Sequence, residues 1–216
     1  MKLHRWIVSF ALVLLASAPA IAQTGMQNLN MNGEFMVAVR SSNLETAQRL
    51  LAAGAVVNTR DRNGDTAINI AARRGDTPMF EVMMASKADI NLANIAGVTP
   101  LMSAAFNGHT ALVHKLLQAG ADYKTTDQVQ KTAAIYAAGA GRTDCVRELL
   151  RAGVDVNQRY QHDETVLMWA AAYGQAETVR FLIDQGAGQK LQDDRAMTAA
   201  DMARKEGHAD VAALLE

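Results

Sequence analysis

The chain has little cysteine and little proline. Of its 216 residues one is cysteine, Cys145, and three are proline. A single thiol closes no internal disulfide, so the fold has to rest on packing. No Asn-x-Ser/Thr sequon occurs, and there is no His-Glu-x-x-His metal motif, no Gly-x-Ser-x-Gly elbow and no glycine-rich phosphate loop. Basic side chains, 21 in number, do not exceed the 22 acidic ones. Nucleic-acid binding depends on Lys and Arg neutralising phosphates, so this balance argues against it. The apolar stretch from Trp6 to Ala16 falls short of the roughly 20 residues that span a bilayer.

That stretch has another reading. Lys2 and Arg5 precede it, and Ala20-Ile21-Ala22 follow before Gln23, the pattern of a cleavable export signal. Residues 1–22 are therefore expected to leave, with 23–32 as a flexible lead-in and 33–216 as the folded domain. Cleavage removes Lys2 and Arg5, leaving 19 basic against 22 acidic side chains, a net charge of −3. A periplasmic location is expected, since the chain has neither the disulfide support nor the glycosylation sequons that suit a secreted eukaryotic protein; general secretion is the alternative. After cleavage no membrane insertion is expected.

What fills the rest is a beat. Gly75, Gly108, Gly141, Gly174 and Gly207 stand thirty-three residues apart, and Thr66, Thr99, Thr132, Thr165 and Thr198 keep the same spacing. Such a period marks units that bury their apolar faces only by stacking on one another. Within one unit Thr99 caps a helix and Pro100 takes its first position, where the missing N–H costs nothing. Gly108 supplies the left-handed turn that ends it. A second helix carries Leu112, Val113, Leu116 and Leu117 on one face. Ala71, Ala104, Ala137, Ala170 and Ala203 share one core position, and Leu50, Met83, Leu116, Leu149, Leu182 and Leu215 another.

Gly97-Val98-Thr99-Pro100-Leu101, Ala104-Ala105, Gly108-His109, Leu116-Leu117 and Gly120-Ala121-Asp122 together resemble the ankyrin repeat, over Glu34 to Glu216. The resemblance implies an all-α repeat solenoid: paired antiparallel helices with projecting hairpin loops, about four full units between N- and C-terminal capping units. The first unit is expected to form helices over Glu34 to Arg40 and Leu44 to Ala53. Two departures stand out. The family's motif histidine is replaced by Asn69, Met102, Ile135, Met168 and Asp201, so its threonine–histidine network is expected to be missing. The hairpin glycines Gly64 and Gly97 give way to Gln130, Asp163 and Ala196, where positive φ is strained, so the later hairpins are expected to be distorted or looser.

Function, by the same resemblance, is non-catalytic binding of a protein partner through hairpin tips and the concave face of the first helices. The chain is expected to act as a monomer without a cofactor. Register places Arg62, Asn63, Asp65, Ile95, Val98, Gln128, Lys131, Tyr160, Gln161, His162 and Glu164 at the tips. Phe106, Tyr136, Trp169 and Tyr173 fall on first helices, the last two sharing a face. They form either an aromatic contact strip or filler between stacked helices, and the sequence leaves both open.

The remaining chemistry is weaker. Cys145 takes the core position of Leu112 one unit earlier and reads as a buried thiol. His109 and His208 follow repeat glycines, and His162-Asp163-Glu164 reads as a solvated turn. Met26, Met31 and Met36 recur every five residues, a pattern that suits Cu(I), although gap filling is the commoner use of methionine. A metal- or redox-linked stress-defence accessory is the alternative function. Some exported bacterial proteins that this chain resembles are connected with peroxide defence, and that resemblance points to a partner of that kind. An enzyme with an unrecognised site is the third.

Overall fold

The computed structural model describes residues 30–216. The leader expected over 1–22 and the stretch 23–29, with Met26, lie outside the described residues. The described residues divide into two units, 30–59 and 60–216.

In the first unit, helix α1 covers residues 30–40 and α2 covers Leu44–Ala52. The helix expected from Glu34 is thus already under way at residue 30, so the last three residues of the expected lead-in are helical. Asn32 accounts for part of this, because its Oδ1 accepts the Val56 N–H at 2.8 Å. Phe35, Met36, Val39, Ala47 and Leu50 are buried.

The second unit repeats one arrangement five times: hairpin, first helix, turn, second helix. The pairs are α3 (Ala67–Arg74) with α4 (Thr77–Ala85), α5 (Pro100–Asn107) with α6 (Thr110–Gln118), and α7 (Ala133–Gly139) with α8 (Thr143–Arg151). Then come α9 (Val166–Ala172) with α10 (Ala176–Asp184) and α11 (Ala199–Lys205) with α12 (Ala209–Ala213). First helices pack side by side in chain order, α3 on α5, α5 on α7, α7 on α9 and α9 on α11. Among the described residues the only bridge between extended segments joins Arg60 to Thr66. This is an all-α repeat solenoid, as the resemblance implies.

Each first helix starts at its repeat threonine, whose hydroxyl accepts the N–H three residues on. Such a cap is worth about 1 kcal/mol. The alanine column is buried at every position, and so are Leu50, Met83, Leu116, Leu149, Leu182 and Leu215. Truncating one of these leucines costs about 2–5 kcal/mol through lost transfer energy and the cavity left behind.

The place left by the family's histidine is not idle. Met102 and Met168 accept the Thr99 and Thr165 N–H groups through Sδ at 3.4 Å, and Asp201 accepts that of Thr198 at 2.9 Å. Asn69 instead donates to the Leu92 carbonyl at 3.0 Å, which leaves its Oδ1 buried without a partner.

Hairpins are locked by a second column that starts each turn: Asp61, Asn94, Asp127 and Asp193. One side-chain oxygen of each accepts the N–H groups two and four residues on, as Asp127 does from Val129 (3.0 Å) and Lys131 (2.8 Å). This lock holds Gln130 and Ala196 at φ of 59° and 60°, close to the 74° and 82° of Gly64 and Gly97. The loosening expected at Gln130 and Ala196 therefore does not occur. The fourth hairpin has Tyr160 in place of the acceptor, and there both His162 and Asp163 turn left-handed around a 3-10 turn over Gln161–Asp163.

Candidate protein-binding site

The first-helix face of the second unit is read in columns thirty-three residues apart. One runs Arg73, Phe106, Gly139, Ala172, Lys205; its neighbour runs Ile70, Ser103, Tyr136, Trp169, Met202. A third ends in Tyr173 and Glu206. The aromatic residues thus cluster on α5, α7 and α9, with Tyr173 not on the helix but at its C-cap, and bare Gly139 among them.

The rings pair rather than scatter. Phe106 meets Tyr136 edge-on, centroids 5.9 Å apart, and Trp169 stacks on Tyr173 at 5.8 Å. A Cβ on Gly139 would stand 3.6 Å from the Tyr173 ring and 3.8 Å from Trp169, so any longer side chain there would contact that pair. Phe106 is 50% exposed and Tyr173 54%, while Tyr136 and Trp169 are half-buried. Each pair therefore has one ring set into the stack and one standing in solvent. Clefts of 240 Å³ beside Phe106 and Tyr136 and 190 Å³ beside Trp169 and Tyr173 continue the face.

Polar groups fix the inner rings. The Tyr136 hydroxyl donates to buried Asp127. Burial, that bond and the Asp127 charge all push the phenol pKa well above its usual value, so it stays protonated. The Lys131 ammonium lies 4.4 Å from the Trp169 ring centre and 5.8 Å from that of Tyr136. It joins the third hairpin to α9 by a cation–π contact.

Among the tip residues, Arg62, Asn63, Ile95, Gln128, Gln161 and His162 are exposed, and Val98, Lys131, Tyr160 and Glu164 are half-buried. Asp65 is a correction. It is 2% exposed, takes the Arg73 guanidinium at 2.6 Å and the Asn94 amide at 2.9 Å, and has no place on a contact surface. The hairpin turns it inward, where its charge is matched by Arg73. His162 pairs with Asp194 at 2.8 Å across to the fifth hairpin. Reading the sequence for glycines missed Asp127 and Gly139, although the first lies in the evenly spaced Asp/Asn column.

The opposite face is occupied by its own charges. On the second helices Lys115 pairs with Glu81, and Glu148 takes His114 and Arg151, each at 2.7 Å. Exposed rings are confined to the first-helix side: Phe106 and Tyr173 are the exposed aromatics among the described residues. Other chemistry is sparse. Cys145 is fully buried, its thiol pKa raised by burial, with Thr110 at 3.5 Å. His109 donates from Nε2 to the Arg73 carbonyl at 3.1 Å, a link between neighbouring repeats. Met36 is buried and Met31 half-buried. Among the described residues no three His, Cys, Asp or Glu side chains gather as metal ligands, and no helix is long and apolar enough to cross a membrane.

Comparison with known proteins gives one family. Ankyrin repeats, as a model of three copies, match residues 35–127, 107–193 and 134–216. No curated protein matches the chain.

Proposed function

Because the chain belongs to the ankyrin-repeat family, whose repeats serve as protein–protein interaction scaffolds, we propose that it binds one protein partner, non-catalytically and as a monomer, through its aromatic first-helix face. The observation that carries this reading is the half exposure of Phe106 and Tyr173, each backed by an inner ring, around Gly139. Aromatic side chains that are held by neighbours contribute much of the energy of protein interfaces, because little freedom remains to be lost on binding. Tips at Arg62, Ile95, Val98, Gln128, Tyr160 and His162 border the face.

The partner is exported with it. Lys2, Arg5, the apolar run and Ala20-Ile21-Ala22 support a leader cleaved after Ala22 and a periplasmic site of action. Amino-terminal sequencing of the periplasmic form tests this, with Gln23 expected first; a chain starting at Met1 in the cytoplasmic fraction contradicts it. Binding is tested by capture from periplasmic extract with the wild type and with Phe106→Ala/Tyr173→Ala. Both rings are exposed, so the variant keeps the fold. The proposal expects one protein enriched by the wild type and lost from the variant; equal recovery on both overturns it.

A further inference from the structure

Neighbouring repeats of the second unit are tied on the loop side by three kinds of link, and all three fail at one boundary. The first is a ladder between hairpins: Ile95 N–H to the Asn63 carbonyl, Gln128 to Ala96 and Asp194 to His162, each 3.0 Å. Among the described residues no such bond joins Gln161 to Val129. The second is a loop asparagine, with Asn91 accepting the Asp122 N–H at 2.9 Å and Asn157 that of Gly188 at 2.7 Å. Lys124 stands at the corresponding place, and an ammonium accepts nothing. The third is an arginine arm, Arg60 to the Ala93 carbonyl at 2.6 Å and Arg159 to that of Gln192 at 3.0 Å. Thr126 there is too short to reach.

Two tyrosines still cross the boundary between the third and fourth hairpins, the Tyr123 hydroxyl donating to the Gly153 carbonyl at 3.5 Å and the Tyr160 hydroxyl bonding Thr132. Among the described residues the rung between the hairpins is nonetheless missing at that boundary. A cleft of 740 Å³ lies on its loop side, among Tyr123, Lys124, Thr126, Arg159 and Tyr160, and one of 260 Å³ on its helix side. Gln130, Tyr160 and Gln161 line both, so the two clefts meet at the missing rung. The larger is within the range of about 300–1,000 Å³ usual for ligand sites.

We propose that this cleft takes an extended acidic peptide segment, whose main chain completes the rung that Val129 and Gln161 leave open. Both residues are exposed, and a carbonyl and an N–H left unpaired between stacked turns are the groups that an added extended chain satisfies. Charge selects the side chain. Lys124 and Arg159 line the cleft against one carboxylate, Asp155, which already accepts the Asn157 N–H at 2.9 Å; Asp163 stands 3.6 Å from Arg159. Lys131 lines the helix-side opening. The helix-side opening shares Lys131 and Trp169 with the aromatic face, but the exposed rings of that face, Phe106 and Tyr173, line neither cleft.

The test is titration of the ¹⁵N-labelled protein with the capped peptide acetyl-Ala-Glu-Ala-Glu-Ala-amide, and with its glutamine counterpart. Amide shifts are expected at Gln161, Gln130 and Lys124, with the glutamate peptide binding several-fold more tightly. Tyr160→Asp restores the hairpin lock and is expected to abolish the shifts, and Lys124→Asn to weaken them, with thermal melting of both variants confirming the fold. Phe106→Ala/Tyr173→Ala is expected to bind the peptide as the wild type does. The proposal fails if the Gln161 amide stays still at saturating peptide, if a folded Tyr160→Asp responds like the wild type, or if the aromatic double variant loses binding.

Discussion

The Lys131 ammonium stands 4.4 Å from the centre of the Trp169 ring, so the tip of the third hairpin is pinned to the first helix of the following pair. A half-buried contact of this kind is worth about 0.5–2 kcal/mol. Lys131→Ala is expected to lower stability by that order in urea denaturation. In a chain starting at Gln23, Trp169 is the only tryptophan, and its emission should change with the substitution. Unaltered emission and stability together would show that the lysine only covers solvent-exposed surface.

Two hairpins hold ordinary side chains in a conformation suited to glycine. Gln130 and Ala196 sit at φ of 59° and 60°, where Cβ crowds the backbone. Relieving that strain offsets the extra freedom glycine gives the unfolded chain. Gln130→Gly and Ala196→Gly are each expected to leave stability unchanged or raise it by up to about 1 kcal/mol. A fall of several degrees in Tm would contradict the turn assignment.

Tyr136→Phe removes the donor from a buried carboxylate while keeping the ring. Asp127 retains the Val129 and Lys131 N–H groups but loses one strong bond. A hydrogen bond to a charged group is worth about 1.5–3 kcal/mol, and a loss of that order is expected in denaturant titrations. Partner capture should survive, since the aromatic surface is intact.

Acid should weaken the second-helix face. The His114 hydrogen bond, then Arg151, hold the Glu148 carboxyl below its ordinary value of 4.5, against a smaller opposing effect of burial. A carboxylate with a depressed folded pKa contributes stability that is complete above its unfolded value and is lost as pH falls through the folded one. Stability of the wild type is therefore expected to decline below about pH 4.5, and the decline to be shallower in His114→Ala, which removes the main cause. Identical pH profiles would refute the assignment.

How far the sequence could be read depended on which column was followed. The glycine, threonine, alanine and leucine columns are set by backbone and core demands that recur in every unit, and they appear in the structure as their spacing predicts. The Asp61, Asn94, Asp127 and Asp193 column was equally visible, yet attention to the lost glycines led to loose hairpins at Gln130 and Ala196 that the structure does not have. Tyr160 is the true exception in that column. Asp65 was misplaced because position in a turn does not say which way a side chain points; Arg73, eight residues on, draws it inward. The pairing of Phe106 with Tyr136, and of Lys131 with Trp169, crosses repeat boundaries and depends on ring orientation, which no single-chain pattern encodes.

The central claim is that a protein partner sits on the aromatic first-helix face. It is tested most directly by placing a photo-activatable benzophenone amino acid at Tyr173, and separately at Glu177, an exposed residue of α10. Irradiation in periplasmic extract is predicted to attach one and the same protein through position 173 and not through position 177. Attachment through position 177 alone, or the same weak background from both, would contradict the account.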